Sequence, residues 1–261
     1  MTDLFLAVDL DGTFLGGSEQ QRRRLYDLLA AHRPQVTLAF VTGRDIPFAS
    51  GLPADGDWGL GGAMPVPDLI IGDVGTSVVV GPDWQRHAEL EAWIDSRWPG
   101  TDAAAAIMAR HPALRLQEVF GGRRLSYFYD DQAAADAAAA EIADAGYDAV
   151  TSAGLFFDVL PRGVNKGTTL RRVLRQMGVP DSRVLVAGDT LNDLSMFATG
   201  LNGVAVGNAE APLLAALDAH PGTYRATAHG AGGILEALDH FDLNPLRRSA
   251  TTQTILKETT A

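Results

Sequence analysis

Leu4-Phe5-Leu6-Ala7-Val8-Asp9-Leu10-Asp11-Gly12-Thr13 is the stretch around which the rest of the chain is read. Five apolar residues run straight into Asp9, and Asp11 with Gly12-Thr13 closes the segment. A short continuous apolar run bounded by a turn signal fits a central strand buried on both faces. Open α/β sheets hold their ligands just beyond the carboxyl ends of such strands. Two carboxylates at that edge, spaced so that one side chain and one backbone carbonyl can share a cation, point to a hard metal site. Taken alone, the stretch also fits an N-terminal strand followed by a plain acidic turn. Three later stretches decide between the two.

Val36–Val41 is a predicted strand ending in Thr42-Gly43-Arg44, and Leu69–Gly72 is another, followed by Asp73-Val74-Gly75-Thr76. Arg183–Ala187 is a third, ending in Gly188-Asp189-Thr190-Leu191-Asn192-Asp193. Helical patterns lie between them. Ser18 and Gln21 have the spacing of a capping box ahead of Leu25, Leu28 and Leu29. Leu170, Val173, Leu174 and Met177 recur at helical spacing until Gly178 and Pro180 stop them. Lys166 opens that helix, where backbone amides already favour an anion. Short strands at Val204–Val206 and Tyr224–Ala226 and a helix at Ile234–Phe241 complete the alternation. The fold class predicted is α/β: a Rossmann-like, doubly wound parallel sheet core over residues 1–81 and 161–245. Gly51–Pro67 is expected to be an irregular connection, and residues 246–261 a frayed tail.

Residues 82–160 break the alternation and predict an inserted α+β domain. His87–Trp98 is amphipathic through Leu90, Trp93, Ile94 and Trp98. Ala113–Val119 and Arg124–Tyr129 flank Gly121-Gly122 as a hairpin, and Gln132–Ala145 is an alanine-rich helix stopped by Gly146. Tyr147–Thr151 and Leu155–Leu160 are two further strands.

Composition narrows the chemistry. The chain of 261 residues has no cysteine, so disulfides and thiolate metal sites are excluded. None of its six histidines pairs at the spacing of a helical zinc site. A net charge of −11 argues against nucleic acid as a partner. No apolar run approaches the roughly 18 residues of a membrane span. The first residues lack the basic and apolar regions of a signal peptide, so a cytoplasmic soluble protein is expected.

Asp9-Leu10-Asp11-Gly12-Thr13, Thr42-Gly43-Arg44, Lys166 and Gly188-Asp189-x-x-Asn192-Asp193 resemble the ordered motifs of the haloacid dehalogenase superfamily. The resemblance covers nearly the whole chain, and an insert between the second and third motifs is similar to that superfamily's type-II cap. It implies that Asp9 attacks phosphorus and forms an aspartyl-phosphate, while Asp11 serves as general acid and then base. Thr42 and Lys166 would complete the catalytic set by holding the transferring oxygens. It implies Mg2+ bound through Asp9, the Asp11 carbonyl and Asp189. Asp193 is grouped with these carboxylates, orienting Lys166 or a metal water together with Asn192.

Val74-Gly75-Thr76, Leu125-Ser126-Tyr127 and Asp158-Val159-Leu160-Pro161 leading to Asn165-Lys166-Gly167 resemble the sucrose-phosphate phosphatase branch. That branch includes relatives acting on mannosylfructose phosphate and on phosphoglycerate-linked sugars. The implied activity is a Mg2+-dependent phosphatase, monomeric, acting on a small-molecule sugar phosphate, with a sucrose-phosphate-like disaccharide favoured. Gly43, Arg44, Arg123, Arg124, Ser126, Tyr127, Asp158 and Asn192 are the candidates for substrate contacts, under a cap that closes over the catalytic edge. Asp45-Ile46-Pro47 with its glycine-rich sequel, and Thr190-Leu191, depart from the branch's usual pattern. A phosphosugar mutase and a non-catalytic phospho-aspartate response module are the competing readings.

Overall fold

β1 (Leu4–Val8) is buried along its whole length, as an apolar run with no polar alternation requires. In a computed structural model of the chain, the described residues are 3–54, 64–119 and 122–246. After β1 come α1 (Glu19–Ala31), β2 (Val36–Val41), α2 (Ile46–Gly51), β3 (Leu69–Gly72), β4 (Ser77–Val80), β5 (Gln85–Arg86) and α3 (Ala88–Asp95). The inserted unit is α4 (Thr101–Met108), β6 (Arg115–Gln117), β7 (Leu125–Phe128), α5 (Gln132–Asp144), β8 (Tyr147–Ser152) and β9 (Phe156–Pro161). The chain then resumes with α6 (Lys166–Met177), β10 (Val184–Gly188), α7 (Leu194–Phe197), β11 (Asn202–Ala205), α8 (Ala211–Ala216), β12 (Thr223–Arg225) and α9 (Ala231–His240).

The core sheet has the order β12-β11-β10-β1-β2-β3-β4-β5. It is parallel from β12 to β3, and β4 and β5 run antiparallel at one edge. Strand side chains alternate between faces, so β1 feeds two cores. Leu4, Leu6 and Val8 pack with Leu25 and Leu29 of α1 and Ile234 and Leu238 of α9. Phe5 and Ala7 pack on the other side with Leu170 and Leu174 of α6 and Met196 and Phe197 of α7. The chain leaves β1 towards β2 on one side and returns as β10 on the other. That switch in strand order opens a crevice at the carboxyl edge. The doubly wound α/β core expected from the sequence is therefore present.

The helix ends follow local chemistry. Ser18 and Gln21 form the capping box of α1, Asn165 and Thr168 that of α6, and Gly178 ends α6 in the left-handed region with φ 64°. Asp45 caps α2, which ends at Gly51, where the stretch expected to be irregular begins. Of that stretch, residues 55–63 lie outside the described residues, as do the hairpin tip at Gly121 and the tail from residue 247. Among the described residues no helix is long and apolar enough to cross a membrane.

The insert is a four-stranded antiparallel sheet of order β6-β7-β9-β8 with α4 and α5 on one face. Its own core is Ala104, Met108, Leu114, Tyr127, Ala138, Ile142, Phe157 and Val159. Its start differs from the expected residue 82. β5 pairs with β4 in the core sheet, and Leu90 and Ile94 of α3 pack with Phe5, Ala7 and Leu170. Amphipathicity shows that a helix buries one face, not which layer receives it. The insert's first helix is α4, and its core begins beside Trp98. Ile94→Ala is expected to lower the unfolding free energy by about 2–5 kcal/mol in urea melts. A change below about 0.5 kcal/mol would contradict the placement of α3 in the core.

Candidate active site

Four strand ends supply the site. Beyond β1 the chain extends at Asp9 and then coils through one wide turn, Leu10–Phe14, with Gly12 at φ 76°. A side chain at Gly12 would run into the Asp189 carboxylate, so glycine serves both the turn and the close approach. Asp189 follows β10. Its Oδ1 accepts from Thr13 Oγ1 at 2.8 Å, and its Oδ2 lies 3.4 Å from Asn208 Nδ2. Asn208 also donates to the Gly12 carbonyl at 3.0 Å and accepts from the Gly230 amide at 2.9 Å. Thr13 and Asn208 thus brace Asp189, roles that the sequence reading did not assign. The available signal for Asn208 was its position just after a strand.

Lys166, the first residue of α6, is fully buried. Its Nζ donates to Asp9 Oδ1 at 2.6 Å, Asn192 Oδ1 at 2.8 Å and Asp193 Oδ1 at 2.6 Å. An ammonium has three protons to give, and each has an acceptor. Gly75 (φ 105°) makes room for this arrangement, because a Cβ there would strike the Asn165–Lys166 backbone. Thr169 Oγ1 ties α6 to the Gly75 carbonyl at 2.8 Å. Asp193 was grouped with the metal carboxylates and lies in the same cluster, where both its oxygens also have protein partners. Oδ1 holds Lys166, and Oδ2 accepts from the Asp189 and Thr190 amides at 3.0 and 3.1 Å. It positions Lys166 and closes the Gly188–Asp193 turn.

Thr42, also fully buried, follows β2, and its Oγ1 accepts from the Arg44 amide at 3.1 Å. Two main-chain bonds lace this segment to the next strand end: Val74 N to Thr42 O at 3.1 Å, and Asp73 N to Arg44 O at 2.9 Å. Arg44 makes a bidentate pair with Asp11, at 2.8 Å to Oδ2 and 2.9 Å to Oδ1, while lying over the Phe48 ring. Both side chains are about half exposed. Pairs in water contribute only about 0–1 kcal/mol, so Asp11 is free to change partner.

The insert meets this edge. β8 lies against Leu191–Asp193, and Arg124 Nη1 donates to the Gly43 carbonyl at 2.8 Å. Ser126 and Asp158 stand opposite each other in register, and Ser126 Oγ donates to Asp158 Oδ1. Asp158 is close enough for Lys166 to act on its charge. The next residue of each strand faces the other way. Tyr127, a sequence candidate for substrate, is packed with Phe157 in the cap's own core. Arg123, another candidate, is bound to Glu91 and near Asp95.

Strand-end carboxylates around a buried lysine, beneath an inserted α+β cap, define a phosphoryl-transfer enzyme fold of the haloacid dehalogenase superfamily. The chain matches the Sucrose-6F-phosphate phosphohydrolase family over residues 2–242 and belongs to it, a family of phosphoric monoester hydrolases. It is 43% identical over 239 residues to a glucosylglycerol-phosphate synthase of Pseudomonas anguilliseptica, covering 91% of this chain and 31% of the relative. It is 33% identical to the mannosylfructose-phosphate phosphatase of Agrobacterium fabrum, covering 92% and 97% of the two chains. Among solved structures, the sucrose-phosphatase of Synechocystis sp. PCC6803, in complex with sucrose and phosphate, superposes with a TM-score of 0.84 at 29% identity. That match covers 93% of this chain and 99% of the other.

The charges do not balance within the protein. Oxygens of Asp9, Asp189 and Asp193 lie within 4.8 Å of one another, and among the described residues only the Lys166 ammonium is buried with them. Burial pushes the Asp9 carboxyl well up, with Lys166 opposing and the neighbouring Asp193 and Asp189 adding to the rise. Burial, then Asp193, pushes Asp189 up to about 7. Burial works against the Lys166 ammonium, but Asp193 and Asp9 outweigh it and hold its pKa above the ordinary lysine value. An unfolded Asp titrates near about 4, so the metal-free fold holds an extra proton on Asp189 from there to about pH 7. That contribution is full below about pH 4 and is lost as pH rises through 7. Metal-free Asp189→Asn is therefore expected to gain on the wild type by about 1–3 kcal/mol between pH 5 and pH 8, read from melts in EDTA. A wild type that gained on the variant over that range would contradict the excess negative charge.

Proposed function

We propose that the protein is a Mg2+-dependent phosphatase that hydrolyses a phosphorylated glycoside through an aspartyl-phosphate on Asp9. The observation that carries this is the buried Lys166 ammonium, spent on Asp9, Asn192 and Asp193 beside Asp189. It fixes the rotation of one carboxylate at the sheet's carboxyl edge while its other oxygen can turn to a substrate.

The metal fits the donor set. Three buried carboxylates against one ammonium leave an excess of two negative charges, the charge of one divalent cation. Asp9, Asp189 and the Asp11 carbonyl, all oxygen donors, would hold Mg2+. When bound, it offsets the repulsion between a carboxylate nucleophile and a phosphate dianion.

In the proposed reaction an Asp9 oxygen forms a bond to phosphorus as the ester P–O bond breaks. Asp11 gives a proton to the leaving sugar oxygen, which requires its pair with Arg44 to open. Water then attacks the aspartyl-phosphate and loses its proton to Asp11, restoring Asp9 and releasing phosphate. Thr42 holds one phosphoryl oxygen and Lys166 another, which requires Lys166 to exchange its bond to Asn192 for the phosphoryl group, and positioning with charge stabilisation does most of the work. Ser126 and Asp158, on the cap face towards Lys166, receive sugar hydroxyls.

The named relatives handle sucrose phosphate, mannosylfructose phosphate and glucosylglycerol phosphate. Each joins a hexose to a second polyhydroxy unit in a phosphorylated glycoside. A sucrose-phosphate-like disaccharide and glucosylglycerol phosphate are accordingly the first substrates to assay. The chain spans 31% of the glucosylglycerol-phosphate synthase, so synthase activity is not assigned to it. Phosphate release from these glycosides is expected to exceed release from simple hexose phosphates by about tenfold or more, the discrimination available from a few positioned hydrogen bonds. Asp9→Asn should abolish it while the protein stays folded, and Mg2+ should restore activity lost to EDTA. Retention of more than a few per cent of the wild-type rate by Asp9→Asn would exclude Asp9 as nucleophile.

A further inference from the structure

Arg123 and Arg124 immediately precede β7, and both reach out of the cap into the core, towards different partners. Arg123 donates from Nη1 to the Glu91 main-chain carbonyl at 3.1 Å, pairs through Nη2 with the Glu91 carboxylate, and lies 3.4 Å from the Asp95 carboxylate. Glu91 is itself fixed. Its Oε1 accepts from the Val78 amide of β4 and its Oε2 from Arg86, each at 2.8 Å. Arg124 reaches the catalytic edge, donating to the Gly43 carbonyl at 2.8 Å and lying 3.1 Å from the Asp73 carboxylate. Asp158, on the cap, is 3.7 Å from the same guanidinium.

We propose that Arg123 and Arg124 form a clasp that seats the cap on the core, making them positioning residues for a glycosylated substrate and not sugar contacts. The proposal rests on the reading of Asp9 as a phosphatase centre. Both arginines are buried, and their guanidinium groups are directed at protein acceptors. Buried charges must be paired, whereas pairs in water contribute about 0–1 kcal/mol, so the clasp is strong when the cap is down and weak once water enters. Arg124 Nε and Asp73 Oδ1 make no hydrogen bond. That half of the clasp therefore acts through charge more than direction, and it tolerates small rocking of the cap. Burial pushes the Asp73 carboxyl up to about 6 while Arg124 pulls it down, in keeping with a carboxylate that depends on this arginine.

The test compares two substrates on the full chain: the best phosphorylated glycoside of the wild type, and p-nitrophenyl phosphate, which offers a phosphate without a sugar. Arg124→Ala and Arg123→Ala should each lose about 30-fold or more in kcat/KM on the glycoside, the usual cost of removing one partner of a buried charge pair. The aryl phosphate should lose under about threefold, since Asp9, Lys166 and Asp189 are untouched. Arg124→Met replaces the alanine variant if that variant fails to fold. Equal losses on the two substrates, or glycoside losses under about threefold, would overturn the clasp. Small-angle scattering reads it without turnover. The double alanine variant should have a larger radius of gyration than the wild type, and an unchanged profile would overturn the proposal even if no phosphate ester were hydrolysed.

Discussion

The Lys166 ammonium is the constraint on which the rest depends. A buried cation without partners costs several kcal/mol, so its surroundings must supply an acceptor for each proton. They come from distant parts of the chain: Asp9 beyond the central strand, and Asn192 with Asp193 beyond β10. Two of the three acceptors have a further tie. Asp193 binds the amides of its own turn, and Asn192 accepts from Thr190. The cation thus ties together strand ends that the parallel sheet brings only into the same neighbourhood. What it leaves unbalanced is the second half of the argument: the carboxylates outnumber the cation, and a divalent metal fits that excess.

Close backbone approach makes the cluster possible. Gly12 lets the turn after β1 come up against Asp189, and Gly75 lets the turn after β3 come up against the start of α6. Both glycines have positive φ. The other constraint is the cap. Alternation along β7 and β9 sends Ser126 and Asp158 to the face that carries Arg124 and buries Tyr127 and Phe157 on the other. The arginines just before β7 hold that arrangement against the core.

Much of this was legible in the sequence because it rests on local signals. The unbroken apolar run of β1, the bounds of β2 and β3, and the capping box of α1 each follow from neighbours a few residues apart. The strand-end residues Asp9, Thr42 and Asp189 and the helix-start Lys166 were visible for the same reason. What escaped depends on contacts far along the chain. α3 has the pattern expected of any amphipathic helix, and only packing shows that Leu90 and Ile94 join the core. α4, with four consecutive alanines, was not anticipated either. Arg123 and Arg124 were candidates for sugar contacts because they lie in the cap hairpin. Their partners Glu91, Gly43 and Asp73 could not be paired with them without coordinates.

The central claim is that a phosphoryl group passes through Asp9. Rapid acid quenching during turnover of a phosphorylated glycoside, followed by peptide fragmentation and mass spectrometry, tests it most directly. The account predicts the added mass of one phosphoryl group on Asp9, absent from Asp9→Asn and absent before substrate is mixed. An adduct on another side chain, or none at any time within the first turnover, would contradict it.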